Sequence, residues 1–396
     1  MPSESAAPSA RRWLILAIGV LAQTSACAFV YGIPLLVPVL RDSLHLDLAT
    51  AGVYVALPTF GLLLTLIAWG AAADRYGERI VMSSGMAITA VAVAAAAWID
   101  TPGGALMTLL VVGGAGAGCV FAASGRMIMG WFPRTERGLA MGIRQTAQPL
   151  GVALAGFALP SLALAHGVFA SLLLPAALCL LSAVLVATCA PDPPRPPRSQ
   201  MVGTPSPYRT PHLWRIHATS ALLVVPQFAI GAFAAEYLVR EQGWSATSAG
   251  AFVATVQIAG AASRIGAGWW SDRVGSRLRP TRQLAISVTI VMLVFALGDA
   301  LAAPLAIAML VVGGILSVAD NGLAFTAVAE VAGVAWSGRA MGIQNTGQNL
   351  LSSGTPIALG ALIGSTGYAA GFAIAALAPF AAIFVVPVRD EGPPTW

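Results

Sequence analysis

The chain contains no lysine: all 21 of its basic residues are arginine, against 16 Asp and Glu and only four histidines. Charged residues make up 9% of the sequence, where soluble domains carry about 25%. That leaves too little polar surface to cover a water-soluble fold, and the apolar share of 57% and mean hydropathy of +0.80 make lipid the natural solvent. Cysteine is scarce too. Cys27, Cys119, Cys179 and Cys189 lie in or beside apolar runs without metal-ligand spacing, so they read as small core residues rather than a disulfide framework or metal site. There is no metalloprotease helix, phosphate-binding loop or nucleophile elbow, so the sequence points away from an enzyme and to no cofactor. The histidines (His45, His166, His212 and His217) scatter over loops and span ends.

The apolar runs are long. A spanning helix needs about 20 mostly apolar residues, and twelve such runs fit the chain. Six lie near 13–38, 50–73, 80–98, 105–130, 139–164 and 168–189, and six near 213–238, 246–270, 282–300, 304–328, 340–363 and 367–388. The fold class expected is an all-α membrane protein in two pseudo-symmetric six-helix bundles, 1–189 and 213–396. Between them, 190–212 is rich in proline and reads as an extended linker. The 42 glycines suit close helix packing. The first twelve residues are polar and end in Arg11-Arg12, and the run after them is long enough to be an uncleaved first span. Placing both termini in the cytoplasm puts 16 of the 21 arginines on that side. Arg41 and Arg240 then fall outside, and Arg126, Arg144 and Arg264 fall within spans. The net charge of +5 therefore follows from topology and needs no nucleic-acid partner.

The halves repeat. Gly70-Ala71-Ala72-Ala73-Asp74-Arg75-Tyr76-Gly77-Glu78-Arg79 and Gly268-Trp269-Trp270-Ser271-Asp272-Arg273-Val274-Gly275-Ser276-Arg277 share G-x-x-x-D-R-x-G-x-R, 198 residues apart. Leu110–Gly114 recurs at Leu310–Gly314, and Ala140–Ile143 at Ala340–Ile343, each 200 residues on. Parallel six-helix halves are the mark of carriers that rock about a midplane site. In the repeated loop, the first glycine permits close helix approach and the second a tight turn. The aspartate and arginines can bind each other and helix ends, forming a conformational latch of Asp74, Arg75, Arg79, Asp272, Arg273 and Arg277.

On these motifs the whole chain resembles the major facilitator superfamily, whose loop signature sits after the second and eighth helices as it does here. The resemblance implies alternating access around a site between the halves, a small-molecule substrate, and coupling to a proton or another ion.

Charges inside spans are costly, on the order of 2.5–3.5 kcal/mol, and mark function by default. Arg264 lies eight residues before the loop aspartate, where the first half has Leu66. This setting resembles helix eight of the monocarboxylate and oxalate/formate branches, in which such an arginine binds the substrate carboxylate. A guanidinium matches a carboxylate as a planar fork. The alternative is a buried ion pair with Asp320, itself the candidate proton carrier. Arg126 and Arg144, replaced by Thr326 and Gln344 in the repeat, would either add positive charge to the site or, for Arg126, snorkel to the interface. Gln148, Gln344, Gln348 and Tyr31 are further candidates for the substrate site, the amides being equally suited to bridging helices. The first span has no lysine where monocarboxylate carriers have one, and offers Gln23, Thr24, Ser25 and Tyr31. Glu236, Asp299 and Glu330 sit near span ends and read as structural. The expected protein is a monomeric carrier of the inner membrane that moves a small organic anion, such as a monocarboxylate or oxalate-like acid, with a proton. Its rivals are a proton-coupled multidrug antiporter, suggested by Pro149-Leu150-Gly151 in span five, and a non-transporting receptor on the same scaffold.

Overall fold

The computed structural model describes residues 9–36, 48–99, 103–194, 205–244, 246–301 and 304–390. Arg41, linker residues 195–204 and the side chain of Glu236 lie outside this description. The described residues form α-helices joined by short turns. In chain order these are α1 (Ser9–Val30), α2 (Leu48–Tyr76), α3 (Glu78–Ala96), α4 (Gly104–Trp131), α5 (Arg137–Gln145), α6 (Ala147–His166), α7 (Val168–Ser171), α8 (Leu173–Cys189), α9 (Pro211–Arg240), α10 (Ala246–Val274), α11 (Leu278–Ala300), α12 (Leu305–Leu316), α13 (Asn321–Ala332), α14 (Ser337–Ala375) and α15 (Leu377–Val385). Every expected span has its helix or helix pair. The loop that separates the last two spans is replaced by a kink at Gly367, φ +84°.

Several spans depart from an unbroken helix, among them spans one, five and ten. The helix of span one stops at Val30 because Gly32 and Pro34 follow, leaving a 3-10 turn at Ile33–Leu36. Span five breaks at Thr146, since Pro149 has no N–H to continue the ladder. Span ten breaks between Leu316 and Asn321. Among the described residues, ten stretches are apolar and long enough to cross a membrane, and they include every span except α10. That helix carries Arg264, Asp272 and Arg273 among small and polar residues. Large apolar side chains such as Phe157 (86% exposed) and Ile357 (77%) face outward, which only a lipid environment makes favourable.

The chain forms two compact units. The first comprises 1–133, 146–204 and 332–345, and so includes the start of α14. Its core includes Phe29, Leu62, Leu66, Met82, Met86 and Leu110, with α4 packed on α2 and α3. Small residues let these helices touch. A Cβ on Gly61 would collide with the Val111 carbonyl, and one on Gly114 with the Pro58 carbonyl. Hydroxyls use the proximity: Thr65 Oγ1 and Trp69 Nε1 both donate to the Ala115 carbonyl, at 2.8 and 2.6 Å, and Thr89 Oγ1 donates to Gly113 at 3.0 Å.

The second unit comprises 134–145, 205–331 and 346–396, and so includes α5. Tyr237, Phe295 and Phe372 pack edge-on and tilted against one another in its core, with ring centroids 5.1 and 4.4 Å apart along the series. Arg215 donates to the Val385 carbonyl at 2.9 Å, satisfying the end of α15.

Gly114→Val tests the α2–α4 crossing. Its branched side chain would meet backbone that cannot yield, and overpacking of this kind costs about 1–3 kcal/mol. The variant should melt lower than wild type in detergent, whereas Gly104→Ala, where a Cβ meets nothing, should not.

Candidate functional site

The two loop motifs build matching clusters from different partners. Gly77 and Gly275 both adopt positive φ, +101° and +66°, turning the chain sharply between spans. In the first unit, Asp74 accepts the backbone N–H groups of Gly338 (2.9 Å) and Arg339 (3.1 Å) and the Arg339 Nε (2.9 Å). A carboxylate thus caps the orphan donors of the first turn of α14 and faces the positive end of its dipole. In the second unit, Asp272 accepts the N–H groups of Gly138 (3.0 Å) and Leu139 (2.9 Å), capping α5 in the same way. Glycine makes both approaches possible: a Cβ on Gly70 would strike the Gly338 carbonyl, and one on Gly268 the Gly138 carbonyl.

The counter-cations differ. Asp272 pairs with Arg277 of its own motif, and Arg277 also reaches Ser271 Oγ (2.7 Å), the Arg134 carbonyl (2.7 Å) and Glu330 (3.5 Å). Asp74 pairs instead with Arg126 of α4 (2.6 Å). Arg126 also binds Glu78, which is fully buried, and the Ala73 carbonyl. The repeat partner of Glu78 is Ser276, so the acid that holds Arg126 belongs to the first half alone. Arg79, the sequence counterpart of Arg277, is exposed and donates to the Ala187 carbonyl at the end of α8. Its own N–H is taken by Asp192 of the linker at 2.8 Å. Arg75 and Arg273 are also exposed and lie over the rings of Tyr76 and Trp269.

Among the charges inside spans, Arg144 and Arg264 meet in the second unit. Both are buried. Arg264 Nη1 donates to the main-chain oxygen of Gln145 at 2.6 Å, and Arg144 Nη1 to the Gln145 side-chain oxygen at 2.8 Å. The Arg144 guanidinium also lies over Phe325, 5.5 Å from its centroid. Asp320 is buried in the turn that separates α12 from α13, with Arg264 close enough for its charge to act on the carboxylate. In the same unit a chain of amides and hydroxyls joins three spans. Gln348 donates to Ser220 (2.7 Å) and Asn321 (3.5 Å), and Asn321 donates to Gln227 (3.1 Å).

The remaining candidates are dispersed. In the first unit Tyr31 packs edge-on against Phe121 at 6.4 Å, and Gln344 is buried near the start of α14. Gln148 is half-buried in α6. Sequence reasoning missed Glu78, Arg339, Ser220, Gln227 and Asn321. For Glu78 and Arg339 a signal existed, since each is a charge that the other half lacks at the repeat position. Among the described residues, no group of three or more His, Cys, Asp or Glu is placed to hold a metal.

Geometry and sequence now agree on the class. A model of the Major Facilitator Superfamily matches residues 19–356. An uncharacterised MFS-type transporter of Mycobacterium tuberculosis, Rv2994, is 41% identical over 387 residues, covering 96% of this chain and 85% of that protein. The chain belongs to the major facilitator superfamily of transporters: it is a multi-pass membrane protein with that family's twelve-helix fold. A shorter stretch of 93 residues is 34% identical to the probable anion transporter 4, chloroplastic, of Arabidopsis thaliana, covering 23% of this chain and 17% of that one. The fold is shared with the fucose:proton symporter of E. coli, at a TM-score of 0.75 and 16% identity, covering 96% of this chain and all of that one.

The clusters make a prediction about stability. Arg126→Ala breaks the buried ion pairs to Glu78 and Asp74, a defect worth about 3–5 kcal/mol. Arg75→Ala removes an exposed cation. Thermal unfolding in detergent should show a large loss for the first and almost none for the second. Equal losses would refute the assignment of Arg126 to this cluster.

Proposed function

We propose that this transporter is a secondary carrier for a small organic anion, of the monocarboxylate or oxalate type, coupled to a proton. The observation that carries the reading is the meeting of two buried guanidiniums, Arg144 and Arg264, on the single residue Gln145. Two cations in one low-dielectric region favour an anionic ligand and disfavour a cationic drug. Arg264 is the first choice for the substrate carboxylate, because its fork can exchange one carbonyl for two carboxylate oxygens. Arg144 supplements it. The neutral chain of Gln348, Asn321, Gln227 and Ser220 would orient the rest of a polar substrate. Asp320, buried within the field of Arg264, is the group assigned to carry the proton. Tyr31, Gln148 and Gln344 stand as secondary lining residues. Arg126 is assigned to the latch with Asp74 and Glu78 in place of the substrate. The similarity of a quarter of the chain to a plant protein named as a probable anion transporter supports the anionic class. The positive-inside bias supports an inner-membrane location with both termini cytoplasmic. The carrier is taken to work as a monomer of two six-helix halves, 1–189 and 213–396, joined by 190–212.

Uptake into proteoliposomes of radiolabelled oxalate and lactate, with an imposed pH gradient, tests the reading. Losing a charge-assisted hydrogen bond is worth about 1.5–3 kcal/mol, so Arg264→Ala should weaken apparent affinity about 10- to 100-fold. Asp320→Asn should leave exchange intact while abolishing acceleration by the gradient. Wild-type behaviour of both variants would sink the proposal.

A further inference from the structure

The repeat assigns Arg264 and Leu66 to equivalent places, and the two differ in what they face. In the first unit, a Cβ on Gly342 would meet the Leu66 carbonyl at 2.7 Å, so α14 runs hard against the backbone at Leu66. In the second unit, a Cβ on Gly142 would meet the Arg264 carbonyl at 2.5 Å, so α5 runs hard against the backbone at Arg264. Gly142 and Gly342 are repeat partners, and the two crossings are the same crossing.

Seven residues beyond these glycines the repeat diverges again. The second half has Asn349, whose N–H stands four residues after Asn345, and α14 continues unbroken through both. The first half has Pro149, which has no N–H to offer the Gln145 carbonyl. There the helix stops: α5 ends at Gln145 and α6 begins at Ala147. Inside a membrane no water can take the place of the lost donor, so a carbonyl released in this way must find another within the protein. The donor at the Gln145 oxygen is Arg264 Nη1, at 2.6 Å. Thus the crossing that has Pro in place of Asn, freeing a carbonyl, is the crossing that has Arg in place of Leu, supplying the donor.

We propose that Pro149 is a positioning residue for Arg264. By removing one N–H it leaves the Gln145 carbonyl open as the anchor for the guanidinium, which holds the cation at the negative end of α5. Resting on the anion-carrier reading, the same anchor is the group a substrate carboxylate displaces. The carbonyl is a neutral anchor for the arginine, and so sets how tightly an anion must bind to win the exchange. Restoring an N–H at position 149 returns the carbonyl to the helix ladder and releases the guanidinium.

The test is a double-mutant cycle on the full-length protein in detergent, read first as thermal stability without ligand. Arg264→Gln should lower the melting temperature in the wild-type background. In a Pro149→Ala background the same substitution should cost at most half as much, because the anchor is already lost. Pro149→Ser, which also restores the N–H, guards against an effect peculiar to alanine. Equal losses in all three backgrounds would overturn the proposal, whatever the protein transports. The second reading titrates oxalate against melting temperature. Pro149→Ala should shift its half-saturation several-fold lower than wild type, and an unchanged or higher value would overturn the claim that the carbonyl competes with the anion. If oxalate, lactate and acetate leave the wild-type protein unmoved while the stability cycle shows coupling, the anion-carrier reading fails and the positioning role of Pro149 stands.

Discussion

Lipid offers a backbone no hydrogen bonds, so each place where a helix of this chain starts, stops or breaks has to be answered from within the protein. With 9% charged residues, the chain has few strong groups for the task, and it places many of them there. Asp74 and Asp272 receive the first N–H groups of α14 and α5. Asp192 receives one at the start of α3. Arg79 serves the end of α8, Arg215 the end of α15 and Arg264 the end of α5. Carboxylates stand at N-termini and guanidiniums at C-termini, in the sense the helix dipole favours. Charged residues here thus complement helix ends as well as one another.

That priority explains which parts of the molecule were legible in the sequence. Hydropathy located the spans because each needs about twenty apolar residues whatever its neighbours do. The loop motif was visible because it occurs twice. Its partners were not, since Arg339 and Gly338 lie more than 260 residues from Asp74 and no local pattern links them. The swap of cations was hidden for the same reason. Arg79 and Arg277 are equivalent in sequence, yet Asp272 takes its motif arginine whereas Asp74 takes Arg126, because Glu78 and not a serine stands beside it. One acid substituted in one repeat moved a cation from the loop into the span. Depth in the membrane singled out Arg126 as functional, but depth alone cannot separate a ligand site from a buried clamp.

The breaks in spans five and ten carry the same lesson at the backbone level. Pro149 was visible as a residue, and its partial resemblance to a drug-antiporter pattern suggested only a rival function. Its physical effect is to remove a donor at Gln145, and that matters only because Arg264, 119 residues away, arrives at the orphaned oxygen. Asp320 likewise appeared as a charge within a continuous span. It sits instead in a turn, where its main-chain oxygen accepts from Ala324 at 3.0 Å and α13 starts one residue later. Its repeat partner Val120 lies inside α4, which does not break.

Symmetry therefore separates scaffold from specificity in this family member more cleanly than polarity does. What the halves share is the means of closing helices on each other: paired glycines, a capping aspartate and a left-handed glycine turn. What they do not share comes in matched pairs. Glu78 goes with Arg126, Pro149 with Arg264, and the break at Asp320 with the charge of Arg264 beside it. A lone departure in a lipid-buried repeat would leave an unsatisfied charge or carbonyl, so departures persist when they compensate one another. The pairing of Glu78 with Arg126 closes on itself and leaves an ion pair. The pairing of Pro149 with Arg264 sets a guanidinium against a neutral main-chain oxygen, so at that contact it satisfies the backbone without an acid. That difference is why the proposed anion site centres on Arg264 and the proposed latch on Arg126.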